Sequence, residues 1–96
     1  MTDSEEIRET HKPASVVETE VGTFEIIKNY RDAFETKAFT ERYVKYFDQY
    51  PYIVGDISAD KLRLKGFNSN NEKKIFDYLM ESATPNAPYF ILKRIK

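Results

Sequence analysis

The chain contains no cysteine and no tryptophan, a single histidine and only three glycines. Without cysteine it can form no disulfide, no thiol nucleophile and no thiolate zinc site. Its one histidine, His11, stands close to the start of the sequence. The rest of the chain therefore supports neither a histidine-based triad nor a histidine metal cluster. Gly22, Gly55 and Gly66 are isolated from one another, so there is no glycine-rich phosphate loop. No apolar run approaches the roughly 20 residues that a membrane span needs. The opening stretch MTDSEEIRETHKPAS lacks the basic and apolar segments of a signal peptide. Small secreted domains usually lean on disulfides. These absences together predict a cytoplasmic protein that is not an enzyme and carries no metal and no cofactor.

What is present suits one small domain. The chain has 96 residues, with seven tyrosines and seven phenylalanines. Large rings bury much area per residue and help a short chain close a core. Charge is unevenly placed. Six acids and two bases leave residues 1–22 at −4, while ten acids and thirteen bases leave residues 23–96 at +3. Residues 1–22 are rich in Glu, Thr and Ser and hold no aromatic residue. They read as a disordered acidic tail before a domain over residues 23–96. A sharper reading makes the tail an acidic arm that folds back on the basic domain. Val16, Val17 and Val21 are also suited to a short edge strand.

Within the domain, Phe24 to Asn29 reads as a first strand. Thr36 to Gln49 reads as a helix, with Phe39, Tyr43, Tyr46, Phe47 and Tyr50 recurring at three- and four-residue spacing and Pro51 ending it. Tyr52 to Asp56 and Lys61 to Phe67 form a hairpin around Ile57-Ser58-Ala59-Asp60. Alternation sets Leu62 and Leu64 against Lys61, Arg63 and Lys65. Pairing Asp56 with Lys61 then places Ile53 opposite Leu64 and Gly55 opposite Leu62, with Val54 opposite Arg63 and Tyr52 opposite Lys65. Gly55, inside a strand, marks a bulge, a close approach by a ring or backbone, or a ligand. Asn70 or Asn71 caps a second helix, Glu72 to Ser82, with Ile75, Phe76 and Leu79 on its buried stripe. Tyr89 to Ile95 is the last strand. The order β-α-β-β-α-β predicts an α+β fold, an antiparallel sheet with two helices. It fits a ferredoxin-like split βαβ sandwich with both helices on one face.

Ile53-Val54-Gly55-Asp56 and Leu62-Arg63-Leu64-Lys65-Gly66-Phe67 resemble the signature of the YutD-like family of small uncharacterised proteins of Gram-positive bacteria. The resemblance extends to Ala38-Phe39, Arg42-Tyr43, Tyr78-Leu79 and Ala87-Pro88-Tyr89-Phe90-Ile91-Leu92-Lys93-Arg94, and spans about residues 24–96. It implies a bacterial cytoplasmic protein of unknown function and supplies no catalytic residue. Family members tend to carry Trp after the Gly-Asp pair, where this chain has Ile57.

Two constellations carry chemistry. Asp56 and Asp60 can act as a carboxylate pair, but the plainer reading ties Asp56 to Lys61 and leaves Asp60 to the turn. The basic residues are the better candidates. Lys61, Arg63 and Lys65 line one face of a strand with Tyr52 beside them, and Lys93 and Arg94 add charge near the C-terminus. Cations next to a ring suit single-stranded nucleic acid, whose bases stack while its phosphates meet charge. The plainer alternative is a solvated face with cross-strand ion pairs. The aromatic stripe on the first helix reads as core. The expected function is a non-enzymatic binding module for RNA or a ribonucleoprotein. The alternative is a protein–protein adaptor that uses an open sheet face or edge strand.

Overall fold

Five strands build one sheet in the computed structural model, which describes residues 15–82 and 86–95. They are β1 (Val16–Thr19), β2 (Gly22–Tyr30), β3 (Tyr52–Ser58), β4 (Lys61–Phe67) and β5 (Tyr89–Arg94). Four are rich in β-branched and aromatic residues, and β4 is marked by alternation alone. All neighbours run antiparallel, in the order β1-β2-β5-β3-β4. Between β2 and β3 lie helix α1 (Thr36–Arg42) and a 3-10 helix (Lys45–Gln49), and between β4 and β5 lies α2 (Glu72–Ser82).

The register sorts the side chains into two faces. On the first, Ile26, Leu92, Ile53 and Gly66 stand in one cross-strand row, and Phe90, Gly55 and Leu64 in the next. Phe24, Phe39, Phe90, Ile53 and Leu92 are fully buried here. The Phe39 ring of α1 stands 5.3 Å from Phe24 and 6.1 Å from Phe90. Burying one such ring is worth about 1.5–3 kcal/mol, so this layer supplies most of the apolar stabilisation. The Phe90 ring lies flat over Gly55, where a Cβ would stand 2.2 Å from its Cζ atom. Of the three readings of Gly55, close approach by a ring is the one the fold uses.

On the second face Lys28, Ile91, Val54 and Lys65 form one row, and Tyr30, Tyr89, Asp56 and Arg63 the next. Helix α2 covers this face. Its Ile75 is buried, and its Tyr78 ring meets Phe67 edge-on at 5.9 Å. Asn71 caps it, its side-chain oxygen accepting from the Lys74 N–H at 3.0 Å.

The α+β class and the antiparallel sheet with two helices hold, but the sheet gains a fifth strand, β1, and with β5 between β2 and β3 it does not have the strand order of the ferredoxin-like sandwich. Further details also differ from expectation. The helices lie on opposite faces, because the second face also carries apolar side chains that need cover. The hairpin register is shifted by two residues, so Asp56 opposes Arg63 and Ser58 opposes Lys61. Its turn is only Ala59 and Asp60, both left-handed at φ 53° and 64°, as a tight type I′ hairpin requires. A shift of two keeps every side chain on its expected face, so Ile53, Leu62 and Leu64 still point to the first layer. The expected helix over residues 36–49 breaks at Tyr43 and Val44, whose backbones are extended. β-branched Val44 favours that conformation, and leaving the helix lets the Tyr43 ring pack 5.6 Å from Phe39 while its hydroxyl donates to Asp48 at 2.6 Å. Finally, Phe76 is exposed rather than on the buried stripe. The expected domain boundary at residue 22 falls within the β1–β2 hairpin, and Val16 and Val17 belong to its edge strand. Residues 1–14, His11 among them, lie outside the described residues.

Candidate functional site

The β3–β4 hairpin places a charged cluster on the α2 face. Asp56 is fully buried, and burial of a carboxylate is costly unless its oxygens are satisfied. Arg63, directly across the strand pair, donates to Oδ2 at 2.8 Å through its terminal nitrogen and at 3.3 Å through Nε. The Ser58 hydroxyl donates to the same oxygen at 2.9 Å. Tyr78 donates to Oδ1 at 3.3 Å, which fastens α2 to the sheet. Burial, followed by the neighbouring Asp56 charge, raises the Tyr78 phenol above its ordinary value. The cluster is a satisfied structural latch. The expected partner of Asp56 was Lys61; the two-residue turn puts Arg63 there instead.

The structure divides the six candidate binding residues. Tyr52, Lys61, Arg63, Lys65 and Lys93 share the α2 face, with Tyr52 between Phe67 and Lys93. Lys61, Lys65 and Lys93 are exposed and Tyr52 is half-buried. Arg63 is engaged by Asp56. Arg94 is on the opposite face, opposite Phe24. Its guanidinium lies 4.8 Å from the Phe24 ring centre, bonds the Tyr43 hydroxyl and stands 3.9 Å from Asp48. Arg94 therefore belongs to the packed layer. Burial and the Asp48 acceptor raise the Tyr43 phenol. Ile57 also points to the packed layer, half-buried against the core, and not to the basic face.

Two further surfaces are open: a groove absent from the sequence reading, and a sheet edge of the kind that the adaptor reading called for without naming a strand. The first is a groove of about 640 Å³ between α2 and the β2–β5 pair, lined chiefly by Ile27, Lys28, Ile75, Phe76, Leu79 and Ile91. Phe76 is 60% exposed and Met80, one turn further along α2, 67%. A bulge between Ile26 and Lys28 shifts the register of β2 and brings Ile27 into this groove beside Lys28. The second is the outer edge of β4. Ser58 and Lys61 close the two-residue turn, so alternation directs the backbone groups of Lys61, Arg63, Lys65 and Phe67 toward β3. Those of Leu62, Leu64 and Gly66 point away, and no described strand pairs with them.

The described residues contain no group of three or more His, Cys, Asp or Glu arranged to hold a metal ion. None of their helices is long and apolar enough to cross a membrane. The fold thus defines a small α+β domain, with an open groove and an open sheet edge beside a buried ionic latch. Comparison with known proteins bears on the family and the fold. The profile of a family described as "Putative antitoxin YutD-like" matches residues 18–93. A protein of Bacillus subtilis (strain 168) named "Putative antitoxin YutD" is 39% identical over 82 residues, covering 76% of this chain and 90% of that protein. A solution NMR structure of protein yutD from B. subtilis superposes with a TM-score of 0.73 at 32% identity, covering 88% of this chain and 86% of that one. The chain belongs to the YutD-like family.

Proposed function

We propose that this protein is a cytoplasmic, non-enzymatic binding module that holds a partner protein inactive, as the antitoxin description of its relatives suggests. The observation that carries this reading is the groove beside α2. Exposed Phe76 lines it with Ile27, and exposed Met80 stands one turn further along α2, an apolar surface that a domain with no partner has little reason to keep. Aromatic and Met side chains in a polar surround are the usual make-up of a protein interface. Lys61, Lys65 and Lys93, with Tyr52 among them, add positive charge on the same face that steers an acidic partner.

The experiment is depletion of the protein in its bacterium. Growth should arrest, and suppressors should map to one gene whose product binds the wild-type chain and not Phe76→Asp. Normal growth on depletion, together with salt-dependent binding of single-stranded RNA through Lys61, Lys65 and Lys93, would replace this reading with the RNA one.

A further inference from the structure

We infer that the outer edge of β4 is a strand-addition site for an extended segment of a partner protein in which acidic and apolar residues alternate. The inference rests on the protein-binding reading above and goes further by naming the edge, the mode of binding and the chemistry of the partner.

Sheet edges present unpaired N–H and C=O groups, and proteins usually blunt them with short strands, bulges, proline or charged side chains, lysine above all. The other end of this sheet is shortened, since β1 has only four residues. β4 is guarded by charge alone. It has seven residues, an unbroken register against β3 and no proline, and Lys61 and Lys65 repel strands of like charge while leaving the ladder open to a strand of opposite charge. Leu62, Leu64 and Gly66 offer three outward pairs of backbone donor and acceptor at alternate positions, the pattern an added strand reads.

The side chains say which strand fits. An incoming strand continues the pleat, so its residues fall beside those of β4 on both faces. On one face they meet exposed Lys61 and Lys65, with Arg63 between them. On the other they meet half-buried Leu62 and Leu64. Cross-strand pairs favour opposite charge on the first face and apolar side chains on the second. A second copy of this chain is the wrong occupant. Two-fold antiparallel pairing about Arg63 sets Lys61 against Lys65 of the second copy, and pairing about Leu64 sets Arg63 against Lys65 of the second copy. Like charges directly opposite one another are destabilising. A nucleic acid lacks the amide ladder that would answer the edge.

The test uses the full chain, labelled for NMR, with two synthetic probes. One is a seven-residue peptide alternating Glu and Val; the other has the same composition with its Glu residues in one block. The alternating peptide should shift the amides of Leu62, Leu64 and Gly66 and slow their hydrogen exchange by about tenfold or more, while the blocked peptide leaves them alone. The double variant Lys61→Glu, Lys65→Glu should lose the Glu–Val peptide by about tenfold and take up a Lys–Val peptide instead. Both lysines are exposed, so unchanged shifts in the core confirm that the variant folds. Equal response to both peptides, shifts centred elsewhere, concentration-dependent shifts of the same amides without peptide, or displacement of the peptide by single-stranded RNA would each overturn the inference. If the growth-arrest partner binds the chain and the Glu–Val peptide does not, only this inference falls. If no protein partner exists, the reading beneath it falls too.

Discussion

The two faces of the sheet are built to different standards. On the α1 side, four phenylalanine and aliphatic residues of the sheet and Phe39 of the helix reach zero exposure, and the rings meet edge to face at 5–6 Å. On the α2 side, Val54 and Ile75 are buried, but Phe76 and Met80 are not, and an open groove runs beside the helix. What fastens α2 is largely polar: Tyr78 on Asp56, and Asp56 on Arg63. The difference assigns the work. The first face supplies stability, and the second keeps apolar and basic surface available.

The largest effects should fall on the packed face. Phe39→Ala or Phe90→Ala should cost about 3–5 kcal/mol in urea unfolding. Gly55→Ala should cost about 2 kcal/mol or more, because its methyl would enter the Phe90 ring on a central strand. Phe76→Ala should change stability by no more than about 0.5 kcal/mol. Comparable losses at Phe76 and Phe39 would mean that α2 is core, and the contrast between the faces would collapse.

The ionic latch should give an intermediate effect. Asp56→Ala leaves Arg63 without its main acceptor, but the Arg63 side chain is 42% exposed and can rehydrate. We expect about 1–3 kcal/mol, below the cost of breaking a fully buried pair. Loss of hydrogen-exchange protection should concentrate in α2. The phenols of Tyr43 and Tyr78 add a pH signature. Each is raised in the folded state above its ordinary value of 10.0. Folding therefore favours the neutral phenol, and that stability is intact below pH 10 and lost as pH rises through the raised values. The urea midpoint should fall above pH 10. Tyr78→Phe should flatten part of that fall, and an unchanged alkaline profile would show that the Tyr78 contact with Asp56 carries nothing.

Much of this arrangement is written locally. Alternation of Leu62 and Leu64 with Lys61, Arg63 and Lys65 marks a strand and its two faces. The Asn70-Asn71 pair announces the start of α2, and Gly55 announces a bulge, a close approach or a ligand, of which the fold uses the second. Non-local features escape the same reading. Strand order depends on where Tyr89–Arg94 inserts, and nothing in that segment names β2 and β3 as its neighbours. The break at Tyr43 and Val44 is only partly local: Val44 favours an extended backbone, but the contacts of Tyr43 with Phe24 and Arg94 are distant in sequence. Phe76 and Ile75 are adjacent on one helix, and only the position of the sheet decides which is covered. The β2 bulge, which brings Ile27 to the groove, has no glycine to mark it. One feature of the candidate site was legible and missed: Lys93 and Arg94 are consecutive in a strand and so must lie on opposite faces. That alternation alone separates Arg94 from the basic face.

A small stabilising effect tests the turn that sets the α2 face. Ala59 holds φ 53°, a left-handed conformation that costs a residue with a Cβ about 1 kcal/mol or more. Glycine adopts it freely, at the expense of greater entropy in the unfolded chain. Ala59→Gly should therefore stabilise the hairpin by up to about 1 kcal/mol, and the pair Ala59→Asn, Asp60→Gly, the preferred type I′ residues, by at least as much. The side chains of both turn residues are exposed, so neither change removes packing. The register should remain Ser58 opposite Lys61, read from cross-strand NMR contacts. A four-residue turn that instead pairs Asp56 with Lys61 would carry Arg63 away from Asp56. Destabilisation by Ala59→Gly, with Asp56 and Lys61 then in contact, would show that this other register is the one populated, and the latch between Asp56 and Arg63 would have to be redrawn, while the faces and outer edge of β4 would stand.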